Sequence, residues 1–162
     1  KIMLNYLVQN KFMKVLYNES QKFSQWWLWL ILFSFPLFAV YPFDLNNLNF
    51  NYIFISIAIL LFFYFLELRI FITEEALYYQ FFPIHMKKHQ IKFTEIKKVE
   101  AVKYKPIIDY GGWGIKHGFN GKAYNVSGNL GVRIYLSNGT NILFGSKKHK
   151  EFEIALMKAM KR

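Results

Sequence analysis

The residues with the most varied chemistry lie between Asp109 and Asn129. Six of the nine glycines fall there (Gly111, Gly112, Gly114, Gly118, Gly121 and Gly128), interleaved with Tyr110, Trp113, Phe119 and Tyr124 and with the cations Lys116 and Lys122. Glycine accepts backbone shapes that other residues resist and lets a partner come close. Aromatic and cationic side chains on such a stretch suit lipid headgroups or a partner protein. The bland alternative is two bulged strands around a tight turn with Trp113 buried, and it weighs slightly more. Gly112-Trp-Gly lacks the third glycine of a dinucleotide loop, and no Gly-Lys-Ser/Thr follows, so nucleotide binding is disfavoured. His85 and His89 flank Met86-Lys87-Lys88 with no carboxylate nearby, a poor set for a cation, so no metal site is expected. No Ser, His and Asp grouping marks a nucleophile. The chain is therefore read as non-catalytic and free of cofactors. Further lysines pair as Lys87-Lys88 and Lys147-Lys148, where a polybasic surface would meet an anionic one at about 1 kcal/mol per cation.

Composition says what must position these residues. The 162 residues are 54% apolar and 20% aromatic, yet carry 21 Lys and Arg against 10 Asp and Glu, a net charge of +11. Such apolar content excludes a disordered chain. The lack of Cys excludes a disulfide scaffold or a thiolate metal site. Two blocks concentrate the apolar residues, about 26–43 and 48–66, with no charge between Lys22 and Asp44. Their lengths match the roughly 17–20 residues needed to cross a bilayer, so the expectation is a transmembrane hairpin. Trp26, Trp27 and Trp29 at one end, and Tyr41 and Tyr52 near the other, fit a membrane interface, and Pro36 would kink the first helix. From Arg69 onward there are 17 Lys and Arg against 7 Asp and Glu, while the turn at Asp44 has no cation. The positive-inside rule then places both termini in the cytoplasm of a two-pass cell-membrane protein. Residues 1–25 form an N-terminal cytoplasmic segment in this reading, with 1–12 an extension ahead of Met13-Lys14.

Beyond the blocks the period changes to two. Leu68, Ile70 and Ile72 alternate with polar or outward residues, as do Leu77, Tyr79 and Phe81, and this predicts a hairpin. Val132, Ile134 and Leu136 lead into Asn138-Gly139, a strong turn signal, and a returning strand. About seven short antiparallel strands, as a small barrel or sandwich over residues 67–162, are closed by one C-terminal helix from about Lys148 to Met160. Phe152, Ala155, Leu156 and Ala159 form its apolar stripe.

A two-helix hairpin followed by such a domain resembles the bacterial pleckstrin-homology-like membrane proteins. Arg69-Ile-Phe-Ile-Thr-Glu-Glu-Ala-Leu-Tyr-Tyr is similar to their opening hairpin. Tyr110-Gly-Gly-Trp-Gly-Ile-Lys, Gly121-Lys-Ala-Tyr-Asn-Val-Ser-Gly-Asn and Gly131-Val-Arg-Ile resemble a small family among them whose function is not established. The resemblance, over about residues 14–160, implies an α+β, mostly-β domain used for interaction and carries over no catalytic residue. The expected role is a membrane-anchored module that binds a membrane protein or anionic lipid at the cytoplasmic leaflet. The alternative is a small homo-oligomeric transport or channel component, or an accessory subunit of a membrane complex. Nucleic acid is a disfavoured partner, because the apolar blocks would have no use there.

Overall fold

The computed structural model describes residues 14–40, 50–118 and 121–161. Among them lie nine strands in two sheets. The first sheet has the order β1-β2-β3-β4, built from β1 (Tyr17–Lys22), β2 (Glu67–Ile72), β3 (Ala76–Phe82) and β4 (His89–Lys92). The second has the order β5-β8-β9-β7-β6, built from β5 (Ile96–Lys103), β6 (Gly114–Gly118), β7 (Gly121–Asn125), β8 (Leu130–Leu136) and β9 (Asn141–Gly145). All pairings are antiparallel except β7 with β9. The helices are α1 (Trp26–Val40), α2 (Phe50–Phe65), the short α3 (Pro106–Tyr110) and α4 (His149–Met160).

Alternation drives the sheets. Leu68, Ile70 and Ile72 of β2, and Leu77, Tyr79 and Phe81 of β3, point inward. They meet Val132 and Ile134 of β8, Tyr124 of β7 and Phe144 of β9 from the other sheet. Phe152, Leu156 and Ala159 of α4 complete this core, as expected when apolar positions recur every three or four residues on one helix face. Tyr79, Tyr124 and Phe144 form an aromatic centre, with Tyr79 and Tyr124 rings 4.8 Å apart and Tyr124 and Phe144 stacked at 5.6 Å. The β8–β9 turn uses Gly139 at φ 85°, which explains why Asn-Gly stands there.

Several expectations are corrected. The strands form two open sheets of four and five, with no closed barrel among the described residues, and they exceed seven in number. The transmembrane hairpin is not supported. Helices α1 and α2 have 15 and 16 residues, and no described helix is long and apolar enough to cross a membrane. At 1.5 Å per residue they reach about 22–24 Å, short of the roughly 30 Å hydrocarbon core. The apolar text at the end of the second block does not all become helix. Leu66 leaves α2 and packs into the sandwich core, and Glu67 already begins β2. The two-pass cell-membrane placement with cytoplasmic termini, and the membrane and transmembrane character inferred from the blocks, fall with the hairpin. The Asp44 turn and Tyr41 lie outside the described residues.

The helices are instead an excursion between paired strands. Strand β1 lies in the segment before the first apolar block. It pairs with β2 from Tyr17↔Ile72 to Lys22↔Glu67, so α1 and α2 leave the sheet from the Lys22–Glu67 end. They lie against each other, with Leu32 and Ser56 buried and the Ser56 hydroxyl donating to the Tyr52 carbonyl at 2.8 Å. Their base is fixed to the sandwich. The Phe23 ring meets Phe63 of α2 and Phe81 of β3 edge to face. Gln25 donates to the Val126 carbonyl at 2.6 Å, and the Trp29 indole donates to the Phe23 carbonyl at 3.0 Å.

Candidate functional site: the helix-bearing end of the sandwich

Strand register places many of the candidate residues at one end of the molecule. Glu67 pairs with Phe82, so the β3–β4 loop leaves from the same end as the helices. In the second sheet, Lys103 pairs with Leu130 and Gly131 with Gly145, and Gln21 of β1 donates to the Gly145 carbonyl at 2.7 Å. The end of β5, the start of β8 and the end of β9 therefore share that end as well.

The surface there is apolar and basic. Outside α1 and α2, exposed large apolar side chains include Ile84 and Met86 in the β3–β4 loop and Ile107 and Ile108 on α3. Val15, Ile154 and Met157 are exposed elsewhere. On the helices nearly every side is apolar: Trp26 is 73% exposed, Leu37 70% and Phe54 68%. Single exposed apolar residues are ordinary, but a contiguous set is not.

The glycine-rich stretch divides in two. Tyr110 and Tyr124 are buried, the first against Tyr104 and the second in the aromatic centre. Gly111, at φ 71°, ends α3, and Gly112 and Gly114 also hold positive φ, so these glycines shape the chain rather than open a site. Asn125 serves the same end. Its side chain accepts from the Gly114 amide at 2.9 Å and donates to the Tyr104 hydroxyl at 3.1 Å. Burial pushes the Tyr104 phenol up to about 12. Trp113 is different. It is half-buried, its indole donates to the Gly128 carbonyl at 2.9 Å, and its ring lies 6.1 Å from Trp27 at the base of α1. All four tryptophans of the chain therefore sit at or beside the start of α1. Lys116 is half-buried on β6, and Lys122 lies over the Tyr124 ring at 5.0 Å.

Lys87 and Lys88 are exposed in the β3–β4 loop, and the Lys88 ammonium rests 4.8 Å from the Phe71 ring. Nearby, His85 and His89 pack ring to ring at 4.4 Å, and both touch Tyr79. Burial pulls the His85 imidazole below its ordinary range, and the charges of His89 and Lys122 add to this. Among the described residues no group of three His, Asp or Glu is placed to hold a metal ion. Tyr52 stands exposed in the first turn of α2.

Lys147 and Lys148 belong to a feature the sequence does not announce. The carboxylate of Glu19 on β1 is buried, and it accepts three hydrogen bonds. The Tyr17 hydroxyl and the Ser146 hydroxyl each donate at 2.6 Å, and the Lys147 amide donates at 3.0 Å. The Lys148 amide donates to the Ser146 hydroxyl oxygen at 3.0 Å. Burial and the bond to Glu19 keep the Tyr17 phenol protonated far above its usual range, so it remains a donor. This network fastens residues 146–148 across β1. Beside it lies an open cleft of about 530 Å³, with Asn18, Ser20, Lys22, Lys147 and Lys148 among the residues that line it. Lys22 also stands over the Tyr64 ring of α2 at 5.4 Å. Beside it, burial would raise the Glu67 carboxyl, but hydrogen bonds from Arg69 and Ser20 and the charges of Arg69 and Lys22 outweigh this and hold it below the usual carboxylate range.

No family model, no curated protein and no solved structure matches this chain. With no family match and no spanning helix, the resemblance to two-helix pleckstrin-homology-like membrane proteins is not sustained.

Proposed function

We propose that the protein is a non-catalytic interaction module whose ligand is an anionic lipid surface, bound by the helix-bearing end. The α1–α2 pair enters one leaflet without crossing it, and the lysines around its base meet the headgroups. The observation that carries this reading is the coincidence of three features at one end of the sandwich. These are the outward apolar faces of α1 and α2, the tryptophans at the start of α1 and against it, and the cations Lys22 and Arg69 at the helix base, with Lys87 exposed on the β3–β4 loop. Apolar surface gains about 25 cal/mol per Å² on leaving water. Each lysine at an anionic surface adds about 1 kcal/mol, and that share is screened by salt within about 10 Å at 0.1 M. Indole rings prefer the boundary between the two regions. A protein partner would need an apolar groove matched to two helices and acidic groups at its rim.

Co-sedimentation tests the reading. The full chain, diluted from detergent, is expected to pellet with vesicles of phosphatidylcholine containing about 30% phosphatidylglycerol, and to release partly as salt rises. Equal recovery in the supernatant with anionic, neutral and no vesicles would overturn it.

A further inference from the structure

The β3–β4 loop, residues 83–88, is fastened to the sandwich by a small set of contacts, and one of them depends on protonation. The Gln80 side-chain amide donates to the carbonyls of His85 and Met86 at 2.9 and 3.2 Å, and the His85 amide donates to the Phe81 carbonyl at 2.7 Å. The Lys88 ammonium lies over the Phe71 ring. The His85 side chain is a further fastening. Its imidazole reaches back from the loop into an aromatic corner where the two sheets meet. There it lies 6.4 Å from the ring of Tyr79 on β3, 5.7 Å from Tyr124 on β7 and 4.4 Å from His89, the first residue of β4. His89 in turn stacks on Tyr79 at 5.3 Å.

This corner suits a neutral ring and resists a charged one. Nδ1 of His85 is sealed from solvent and has no hydrogen-bond partner among the described residues. A neutral imidazole carries its proton on one nitrogen and can leave Nδ1 bare. An imidazolium carries a proton on both, so Nδ1–H would be buried without an acceptor. The charges that act on the ring are also unfavourable. They are Lys122 of β7, whose ammonium stands over the Tyr124 ring at 5.0 Å, and His89 when it is protonated. On the loop itself Lys87 and Lys88 are cations as well. The phenols of Tyr79 and Tyr124 supply no negative charge, because burial keeps both protonated above their ordinary range.

We propose that His85 is a proton-operated latch on the β3–β4 loop. The neutral ring holds the loop against Tyr79 and Tyr124, and the imidazolium leaves the corner to give Nδ1–H to water, drawing residues 83–88 off the sheet edge. The open loop binds the proton more readily than the closed one. Closure is therefore complete above the ordinary imidazole value and is lost as pH falls below it. The consequence for the membrane rests on the lipid reading above. The loop carries exposed Ile84, Met86 and Lys87 at the helix-bearing end. Its release frees these side chains to reach the leaflet, and the new imidazolium adds a cation, so acid tightens binding to an anionic surface.

The latch is tested first without lipid bilayers, by NMR titration of the full chain in a zwitterionic detergent. The Gln80 side-chain amide and the backbone amides of residues 84–88 report the loop. Between pH 7.5 and pH 5 they are expected to move together with the His85 ring protons, and the open population to rise at least about threefold. His85→Phe keeps a ring in the corner and takes no proton, so its loop should stay closed throughout. Lys122→Gln removes one repelling charge and should move the midpoint to higher pH. Loop signals that move equally in the parent and in His85→Phe, or that do not follow the His85 ring, would overturn the latch. Phosphatidylglycerol vesicles then test its role. The parent should tighten about threefold more than His85→Phe over the same pH range. Equal tightening in the two would refute that role. A loop that opens in acid without vesicle binding at any pH would keep the latch and refute the lipid reading.

Discussion

The β-sandwich and the α1–α2 pair use the same residue types in opposite ways. In the sandwich, Phe81, Phe144 and Phe152 are wholly buried, and even the polar Asn125 has its partners. On the helices, Phe33, Phe54 and Phe62 are exposed, and among their described residues only Leu32 and Ser56 are buried. The sandwich is complete by itself, whereas the helix pair presents an unmet apolar surface. Phenylalanine in this chain thus reports burial in one region and demand for a partner in the other. The junction is built for load: Phe23 reaches back into the core, Trp27 leans on Trp113, and Gln25 reaches Val126.

That contrast predicts a sharp split in mutational effects. Phe152→Ala should cost about 3–5 kcal/mol in denaturant unfolding of the sandwich, because it leaves a cavity between α4 and both sheets. Phe54→Ala should leave the same transition nearly unmoved while weakening vesicle binding. A comparable loss of sandwich stability in both would erase the distinction. Gly131→Ala comes next. A Cβ there would stand 2.4 Å from the Phe144 carbonyl oxygen, backbone that cannot step aside, and overpacking should cost about 1–3 kcal/mol in the same unfolding assay.

How far the chain could be read in advance follows the same division. The β2–β3 hairpin and α4 show in the residue pattern because each has one buried face, and the period exposes it. Strand β1 does not, because its inward positions are Glu19 and Gln21, polar residues whose burial is made tolerable only by partners 124–128 positions away. No local pattern contains that information. Lys147 and Lys148 show in the sequence as a pair, but the Glu19 and Ser146 contacts that fix their backbone do not. The apolar blocks misled for a related reason. Composition cannot tell the residues that continue a helix from those, such as Leu66 and Leu68, that turn back into a core.

The Glu19 network tests the junction more finely. Glu19→Gln should cost about 1–3 kcal/mol, since one amide oxygen cannot replace a carboxylate that takes donors from Tyr17, Ser146 and Lys147. Thermal unfolding checks the size, and Ser146→Ala, which removes one donor, should cost less.

The smallest effect expected is on pH dependence. The His85 imidazole is held below its ordinary pKa of 6.5 by burial and by neighbouring His89 and Lys122, so the folded protein binds this proton less readily than the unfolded chain. Its contribution is present above the ordinary imidazole value and is lost as pH falls toward the depressed folded value. His85→Asn should flatten that acid limb by less than about 1 kcal/mol, because the ring is only partly buried and solvent screens it. An unchanged slope in urea unfolding between pH 7 and pH 5 would remove His85 from the account.

The four native tryptophans offer the most direct examination of the central claim, because all of them stand at or beside the start of α1. Their fluorescence should shift to shorter wavelength on adding phosphatidylglycerol-containing vesicles. Lipids brominated near the headgroup end of the acyl chain should quench it more strongly than lipids brominated near the bilayer centre. An emission spectrum that stays put and is quenched by neither lipid would contradict the claim that this end of the sandwich enters a leaflet.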